Sequence, residues 1–141
     1  LSIDHLKMGL IRAGHTGLTP RDEAELTDYL WPIVAEMIKT AIENEQNLIV
    51  EGIYIPCDWK KDFAPDYTES IRALFLVMSE NYIRTNFDTI RNHADAIEKR
   101  KFPQDLTMEK LMDDNFAIKK ACEKAGQDIV WIDEEYPETT L

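Results

Sequence analysis

Residues 47–52, Asn-Leu-Ile-Val-Glu-Gly, decide the fold class of this chain. An unbroken apolar run between polar or turn residues predicts a strand that is buried on both faces, as in a parallel sheet. Residues 71–78 and 128–132 have a similar apolar character and predict two further strands, and residues 1–3 resemble the end of another. Because helical patterns separate these strands, the sequence predicts an α/β fold, a parallel sheet with helices on both faces.

Four helices are predicted between and beside the strands. Each has an apolar face at helical spacing and at least one recognisable start or stop signal. The first follows Asp4 and is broken by the glycines at positions 14 and 17. The others begin at N-cap residues and are expected to run from Thr19 to Gln46, from Ser79 to about Lys101, and from Thr107 to a C-terminal Gly126.

The composition restricts the classes of partner. The chain has 141 residues, the usual size for one domain, and a formal net charge of -11, which argues against nucleic acid or an anionic membrane as a partner. Cys57 and Cys122 have no metal-site spacing and are expected to be free thiols, as in the cytoplasm. No apolar run approaches the ~18 residues of a membrane span.

Polar side chains follow each predicted strand directly. Asp4, Glu51, Ser79 and Asp133 stand at these positions. In open parallel sheets, ligands bind beyond the carboxyl ends of the strands. The sequence therefore predicts that these four residues line one edge of the sheet and that the chemistry takes place there.

Asp4 is the first candidate for a catalytic residue. A carboxylate between a strand and a helix can accept a proton from a substrate hydroxyl or bind the substrate directly. The alternative is an ordinary N-cap for a helix that begins near His5. The spacing alone favours neither interpretation.

Glu51 is the candidate for a metal-associated acid. A carboxylate at the end of an apolar strand can hold Mg²⁺ through the water shell of the ion. An exposed acid at a strand end, without any function, is the alternative. Tyr54 and Trp59, in the loop after Glu51, could line a substrate pocket or simply cover the core.

Arg84 and Arg91 lie two turns apart on one face of the predicted third helix. Cations that project over a phosphate site can neutralise a group in transfer. Ion pairs with neighbouring acids on a solvated helix face are the alternative for each arginine taken singly.

Two segments resemble a known family. Residues 2–7, Ser-Ile-Asp-His-Leu-Lys, are similar to the stretch that begins the substrate-binding region of adenylate kinase and related nucleoside monophosphate kinases. Residues 48–56, Leu-Ile-Val-Glu-Gly-Ile-Tyr-Ile-Pro, are similar to the strand of these kinases that ends in Asp-Gly-Phe-Pro. Residues 4–10 resemble still more closely small bacterial proteins described as adenylate-kinase-like or 2-phosphoglycerate-kinase-like.

This resemblance implies a P-loop kinase fold that uses ATP and Mg²⁺ and phosphorylates a small metabolite or nucleotide. It implies that Asp4 and Lys7 bind the substrate, with Tyr54 and Trp59 beside them, and that Glu51 is the Walker B acid, associated with the nucleotide and, through water, with Mg²⁺. Arg84 and Arg91 would be catalytic cations at the start of a lid-like region of about residues 84–106. A homodimer is one assembly that the sequence allows.

The chain departs from the family in two respects. It contains no G-x-x-x-x-G-K-[ST] loop, and Cys57 stands where these kinases place an arginine that contacts the substrate phosphate. The resemblance therefore implies a single kinase-like domain over residues 1–141 that lacks its central first strand and phosphate-binding loop. We expect about 30 further residues upstream, one strand-loop-helix unit, to supply both. The missing central strand could also come from a second chain, or the sheet could be rearranged without it. The alternative function is a non-catalytic binding protein on the same scaffold.

Overall fold

The computed structural model describes residues 1–93 and 106–136. These residues combine helices with a small parallel sheet, which confirms the α/β class in this broad sense. The chain divides into two compact units, residues 1–72 and residues 73–141. The organisation of the whole chain as a single domain stays a prediction.

The first unit consists mainly of helices. Its elements are α1 (Ile3–Arg12), α2 (Glu23–Glu43), a 3₁₀ turn (Trp59–Asp62) and the short α3 (Pro65–Thr68). The turn lies in the region that the sequence predicted as a loop after Glu51, and α3 follows it. One face of α2 is buried through Leu26, Leu30, Trp31, Val34, Ala35 and Ala41.

Aromatic side chains complete the core of this unit. Phe63 packs edge-on against both Trp31 and Trp59, with ring centroids 6.1 and 5.8 Å apart. The indole Nε1 of Trp31 donates to Asp62 Oδ2 at 2.7 Å, so the polar atom of this buried ring is satisfied. The 3₁₀ turn is thereby fixed to the middle of α2.

Residues 47–52 form an extended segment that differs from the prediction. Only Glu51 is in a β-bridge, a parallel one with Ser2, and no longer strand is formed in this part of the described chain. Burial on both faces is also wrong for this segment, because Leu48 is 41% exposed and Ile49 is 70% exposed. An apolar run indicates that a segment should be covered, but it does not provide the residues that cover it.

The starts of α1 and α2 also differ from the sequence predictions. The helix α1 begins at Ile3 with Ser2 in the N-cap position, so Asp4 is a residue of the first turn and not the cap. The helix α2 begins at Glu23 behind Asp22. Thr19 donates from its backbone N–H and from its hydroxyl to Asp22 Oδ2, at 2.7 and 2.8 Å, which closes a turn where the sequence predicted the first turn of the helix.

The second unit contains the sheet. Its elements are β1 (Phe75–Met78), α4 (Glu80–His93), α5 (Met108–Ala125) and β2 (Ile129–Ile132). The strands β1 and β2 pair in parallel, with Phe75 opposite Ile129 and Met78 opposite Ile132. The predicted parallel pairing is therefore present, although β1 is shorter than the predicted strand 71–78.

Three predicted helix signals in this unit are confirmed. The hydroxyl of Ser79 accepts a hydrogen bond from the backbone N–H of Tyr82 at 2.9 Å, and that of Thr107 accepts from Lys110 at 3.1 Å. Gly126 ends α5 with a left-handed φ of 64°. Of the predicted helix that runs to Lys101 and the lid-like region of 84–106, residues 94–105 lie outside the described part of the chain.

The outer edge of β1 is partly closed by a side chain. The N–H of Ser79 donates to Ile132 O at 2.8 Å, toward β2, and the preceding N–H, that of Met78, points to the opposite edge. There it donates to Asn115 Oδ1 at 2.8 Å, while Asn115 Nδ2 donates to Leu111 O within α5 at 2.8 Å. This residue of α5 thus acts as a cap for the sheet edge.

Candidate functional site

Asp4, Lys7 and Tyr54 form a polar cluster in the first unit through side-chain hydrogen bonds. Lys7 follows Asp4 by one turn of α1, and only 6% of its surface is exposed. Its ammonium nitrogen Nζ donates to Asp4 Oδ1 and, at 3.3 Å, to Tyr54 Oη, and it lies 5.3 Å from the centroid of the Tyr54 ring. The structure therefore brings together three of the residues that the sequence singled out.

Backbone hydrogen bonds between residues 1–3 and Glu51 position this cluster. The N–H of Ile3 donates to Glu51 O and the N–H of Glu51 donates to Leu1 O, each at 3.0 Å. These bonds fix the first turn of α1, which carries Asp4, beside the end of the extended segment that leads to Tyr54. Glu51 is thus part of the isolated bridge with Ser2, and Asp4 follows Ser2 closely, while the prediction that four polar residues line one edge of a sheet stays a prediction.

Gly52 makes the close approach of these two segments feasible. Its φ of 148° is unfavourable for residues with a side chain, and a Cβ atom at this position would lie 2.9 Å from Cβ of Ile3. Ile3 itself is completely buried. Gly52 is thus a site-forming residue that the sequence analysis did not assign, although a glycine directly after an apolar run is a known signal of close backbone approach.

The electrostatics of the cluster favour a charged Lys7 and a neutral Tyr54. Burial opposes the charge of Lys7, but the hydrogen bond and the negative charge of Asp4 outweigh it and raise the pKa of Lys7 above its ordinary value. Burial raises the pKa of Tyr54 as well, with the nearby charge of Lys7 opposing this shift and those of Asp4 and Glu23 adding to it. Lys7 is therefore charged, and its ammonium group is paired with the Asp4 carboxylate.

The three side chains differ in their access to a ligand. Tyr54 is 2% exposed and Lys7 is buried, whereas 26% of the Asp4 side chain is exposed. Asp4 is consequently the member that a small molecule can reach, and Lys7 and Tyr54 lie behind it. A carboxylate held in this way can accept a hydrogen bond from a hydroxyl group of a ligand.

Glu51 is exposed and lies next to the cluster in the chain fold. Within the described residues there is no group of three or more His, Cys, Asp or Glu side chains that could hold a metal ion. A single carboxylate suits Mg²⁺ only where substrate phosphates and water supply the other ligands. Glu51 could contribute one such carboxylate.

The described residues do not fit a nucleotide triphosphate. A phosphate cradle needs successive backbone N–H groups in a glycine-rich loop between a strand and a helix. Residues 14–17 follow the helix α1, and Gly52 is packed against Ile3. Neither of these glycine-containing segments is therefore placed as such a cradle.

Of the remaining predicted site residues, Trp59 belongs to the first unit and the others belong to the second. Trp59 is 3% exposed and contributes to the core, as the packing interpretation expected. Arg84 and Arg91 are exposed on α4 and make ion pairs with Glu80 at 3.9 Å and with Asp88 at 3.5 Å. Ser79 and Asp133 follow the paired ends of β1 and β2, where the Ser79 hydroxyl is a helix cap.

Comparison with protein-family models, with curated proteins and with solved structures found no match to this chain. Among the described helices, none combines the length and the apolar character that crossing a bilayer requires. The interpretation of function therefore depends on the cluster around Asp4 and on the sequence resemblance.

Proposed function

We propose that this chain carries the acceptor-binding part of an ATP-dependent phosphotransferase that acts on a small metabolite or nucleotide. The observation that supports this most directly is the Asp4–Lys7–Tyr54 cluster. Its three members lie in the two segments that resemble nucleoside monophosphate kinases, residues 2–7 and 48–56, and two hydrogen bonds join them through Lys7. In this proposal the fold is of the P-loop kinase type.

Asp4 is the residue that contacts the substrate. It accepts a hydrogen bond from the reacting hydroxyl and takes its proton as the phosphoryl group is transferred. Lys7 holds the orientation of the carboxylate through its hydrogen bond, and Tyr54 fixes Lys7 from the other side. A residue so constrained loses little rotamer freedom when the substrate binds.

The proposal requires a phosphate-binding loop from outside the described residues. ATP would supply the phosphoryl group and Mg²⁺ would neutralise its charge, and Glu51 would hold the ion through water. Arg84 and Arg91 are the proposed lid cations. The substrate side of the reaction is thus assigned to this chain, and the triphosphate side is assigned to a loop that it does not contain.

The decisive experiment measures phosphoryl transfer by the natural polypeptide to a panel of small hydroxyl-bearing and phosphate-bearing metabolites. Asp4→Asn should lower turnover about 10²–10⁴-fold, the usual contribution of a general base, while the protein remains folded. Asp113→Asn, an exposed acid on α5, is the matched control and should leave turnover unchanged. Full activity of the Asp4→Asn protein would refute the role of Asp4, and a coding sequence without a G-x-x-x-x-G-K-[ST] loop would refute the kinase.

A non-catalytic binding protein is the second candidate, and the missing phosphate cradle favours it. Isothermal titration of the 141-residue chain with Mg-ATP should give little heat under either function. A natural polypeptide that also fails to bind Mg-ATP, but still binds a metabolite through Asp4, would establish this second function. Low-micromolar binding of Mg-ATP by the 141 residues would contradict both and require another anion site.

A further inference from the structure

The buried ammonium group of Lys7 already has its partners within the chain. It donates to Asp4 Oδ1 and, at 3.3 Å, to Tyr54 Oη, and only 8% of the Lys7 side chain is exposed. An anionic ligand could use Lys7 only by displacing Asp4 or by lying directly beside the Asp4 carboxylate. The first arrangement separates a buried ion pair and the second brings like charges together, so both are unfavourable.

Asp4 has one carboxylate oxygen left for a ligand. Its Oδ1 is bonded to Lys7, and within the described residues its Oδ2 accepts no hydrogen bond from another side chain. A quarter of the side chain, 26%, is exposed. A carboxylate oxygen accepts hydrogen bonds and donates none. The accessible atom of the cluster therefore selects a hydrogen-bond donor such as a hydroxyl group, and it repels a phosphate or a carboxylate.

The charges next to the cluster are also unfavourable for an anion. Of the three charged groups that act most strongly on Tyr54, Lys7 is positive, whereas Asp4 and Glu23 are negative. Glu23 is exposed in the first turn of α2, the helix against which α1 packs. Since Lys7 and Asp4 compensate each other, Glu23 leaves an excess of negative charge around the cluster.

The other lysines of the first unit do not supply the missing positive charge. Each has a partner of its own: Lys39 pairs with Glu36 and Lys61 with Asp58, both at 2.7 Å, and Lys60 lies over the ring of Trp59. Arg12 is in the last turn of α1, eight residues after Asp4 and thus about 12 Å away along the helix axis. A small ligand that contacts Asp4 does not reach it.

We propose that the acceptor of this phosphotransferase is an alcohol without a phosphate or carboxylate group beside its reacting hydroxyl. The inference rests on the proposed function and narrows it to uncharged or cationic alcohols, in preference to nucleotides and phosphorylated metabolites. The hydroxyl group donates to Asp4 Oδ2. As its oxygen bonds to the γ-phosphorus of ATP, its proton passes to Asp4, and the bond from this phosphorus to the bridging oxygen breaks, so that ADP leaves with the electron pair.

The first test compares acceptors that differ in one anionic group, with the natural polypeptide and Mg-ATP. Each alcohol is paired with its charged derivative, for example glycerol with glycerol 2-phosphate, glycerol with glycerate, and adenosine with AMP. In every pair that is turned over, kcat/KM should be at least about tenfold higher for the uncharged member. An equal or higher kcat/KM for the charged member would overturn the inference and leave the transferase activity in place.

Glu23→Lys reverses the charge beside the cluster and should reduce this preference about threefold or more. Glu25→Lys is the matched control, because it makes the same charge change at an exposed position two residues along the same helix. The control should leave the preference unchanged. An equal effect of the two substitutions would mean that the total charge, and not the surroundings of Asp4, determines the preference, and would overturn the inference.

The second test does not require turnover. Inorganic phosphate is added to the 141-residue chain up to about 10 mM, and the NMR signals of the amides of residues 3–8 and 52–55 are followed. These signals should show no saturable shift in the unmodified chain or in Glu25→Lys, but a measurable one in Glu23→Lys. Saturable shifts in the unmodified chain, or no difference between the two variants, would overturn the inference. If no acceptor is turned over, the proposed function fails, and this titration alone decides whether the cluster excludes anions.

Discussion

The Lys7 ammonium lies 3.3 Å from the hydroxyl oxygen of Tyr54, 47 positions further along the chain. This contact connects the first helix to the loop after the extended segment, and it leaves Asp4 as the accessible member of the cluster. The cluster is therefore both a structural connection within the first unit and the proposed substrate contact. The two roles can be separated by experiment.

The ionisation of Lys7 and Tyr54 should make stability fall at alkaline pH. The pKa of each group is raised in the folded chain above its ordinary value, 10.5 for Lys7 and 10.0 for Tyr54, so the folded state binds these protons more tightly than the unfolded state. Their contribution is complete below pH 10 and is lost as the pH rises through the higher folded values. Urea unfolding between pH 8 and pH 11 measures this slope.

The matched variants for this experiment are Lys7→Met and Lys60→Met. Lys60 is exposed, over the ring of Trp59, and its replacement should leave the alkaline slope of the free energy of unfolding as it is. Lys7→Met should change that slope, because it removes the Lys7 contribution and alters the pKa of Tyr54. An identical slope in both variants would show that Lys7 is not coupled to folding in the way that its contacts indicate.

Gly52→Ala should destabilise the first unit. The new methyl group would lie within 3 Å of Ile3 and the backbone would keep an unfavourable φ, so we expect a loss of about 2 kcal/mol or more in the free energy of unfolding. Thermal or urea denaturation of the purified variant measures the loss. Substrate binding through Asp4 should weaken too, because Ile3 precedes Asp4 directly.

Two other glycines serve as controls for Gly52→Ala. Gly14 has a left-handed φ of 75° but open space around it, so Gly14→Ala reports the cost of backbone strain alone. Gly9 lies inside α1 with open space, where alanine should stabilise the helix by about 0.5–1 kcal/mol. A loss for Gly52→Ala no greater than for Gly14→Ala would mean that the contact with Ile3 relaxes without cost.

Asn115→Ala should uncap the outer edge of β1. The N–H of Met78 would lose its acceptor, at a cost of about 1 kcal/mol, and its amide should exchange with solvent faster than in the unmodified protein. Asn115→Asp retains an acceptor oxygen and should preserve the protection of Met78. Equal exchange rates of Met78 in both variants would contradict the capping role.

Arg84→Ala and Arg91→Ala should change the free energy of unfolding by no more than about 0.5 kcal/mol, because both side chains are exposed and their ion pairs are long. If they are lid cations, the turnover of the natural polypeptide should fall in each variant. Arg21→Ala, at an exposed position of the first unit, is the control for a general effect of charge. Turnover equal to that of Arg21→Ala would leave both residues as surface charges.

Local signals in the sequence predicted the second unit better than the first. Thr107, Ser79 and Gly126 act within one turn of their own helices, so their residue type is sufficient to predict their role. The start of α2 was wrong because two capping residues compete there, and Thr19 donates to Asp22 instead of capping a helix. The sequence alone does not show which of two neighbouring capping residues begins the helix, because that depends on the backbone conformation between them.

The candidate site was predictable in its members but not in their arrangement. Asp4, Lys7 and Tyr54 were each selected, yet the burial of Lys7 and its bond to Tyr54 depend on contacts between distant parts of the chain. The exposure of Leu48 and Ile49 was unpredictable for the same reason. An apolar run indicates that burial of a segment would be favourable, but contacts with other parts of the chain determine whether the segment is buried.

The bridge between Ser2 and Glu51 has a consequence for biosynthesis. Its partners are 49 positions apart, so a long loop must close before Ile3 can dock, and the entropy of that closure delays the step relative to helix formation. Residues 1–3 leave the ribosome well before Glu51 and remain without their partner while α2 is being translated. Over that interval the apolar face of α2 lacks its contacts with α1, and the arrival of Glu51 and Gly52 allows the first helix to take its final position.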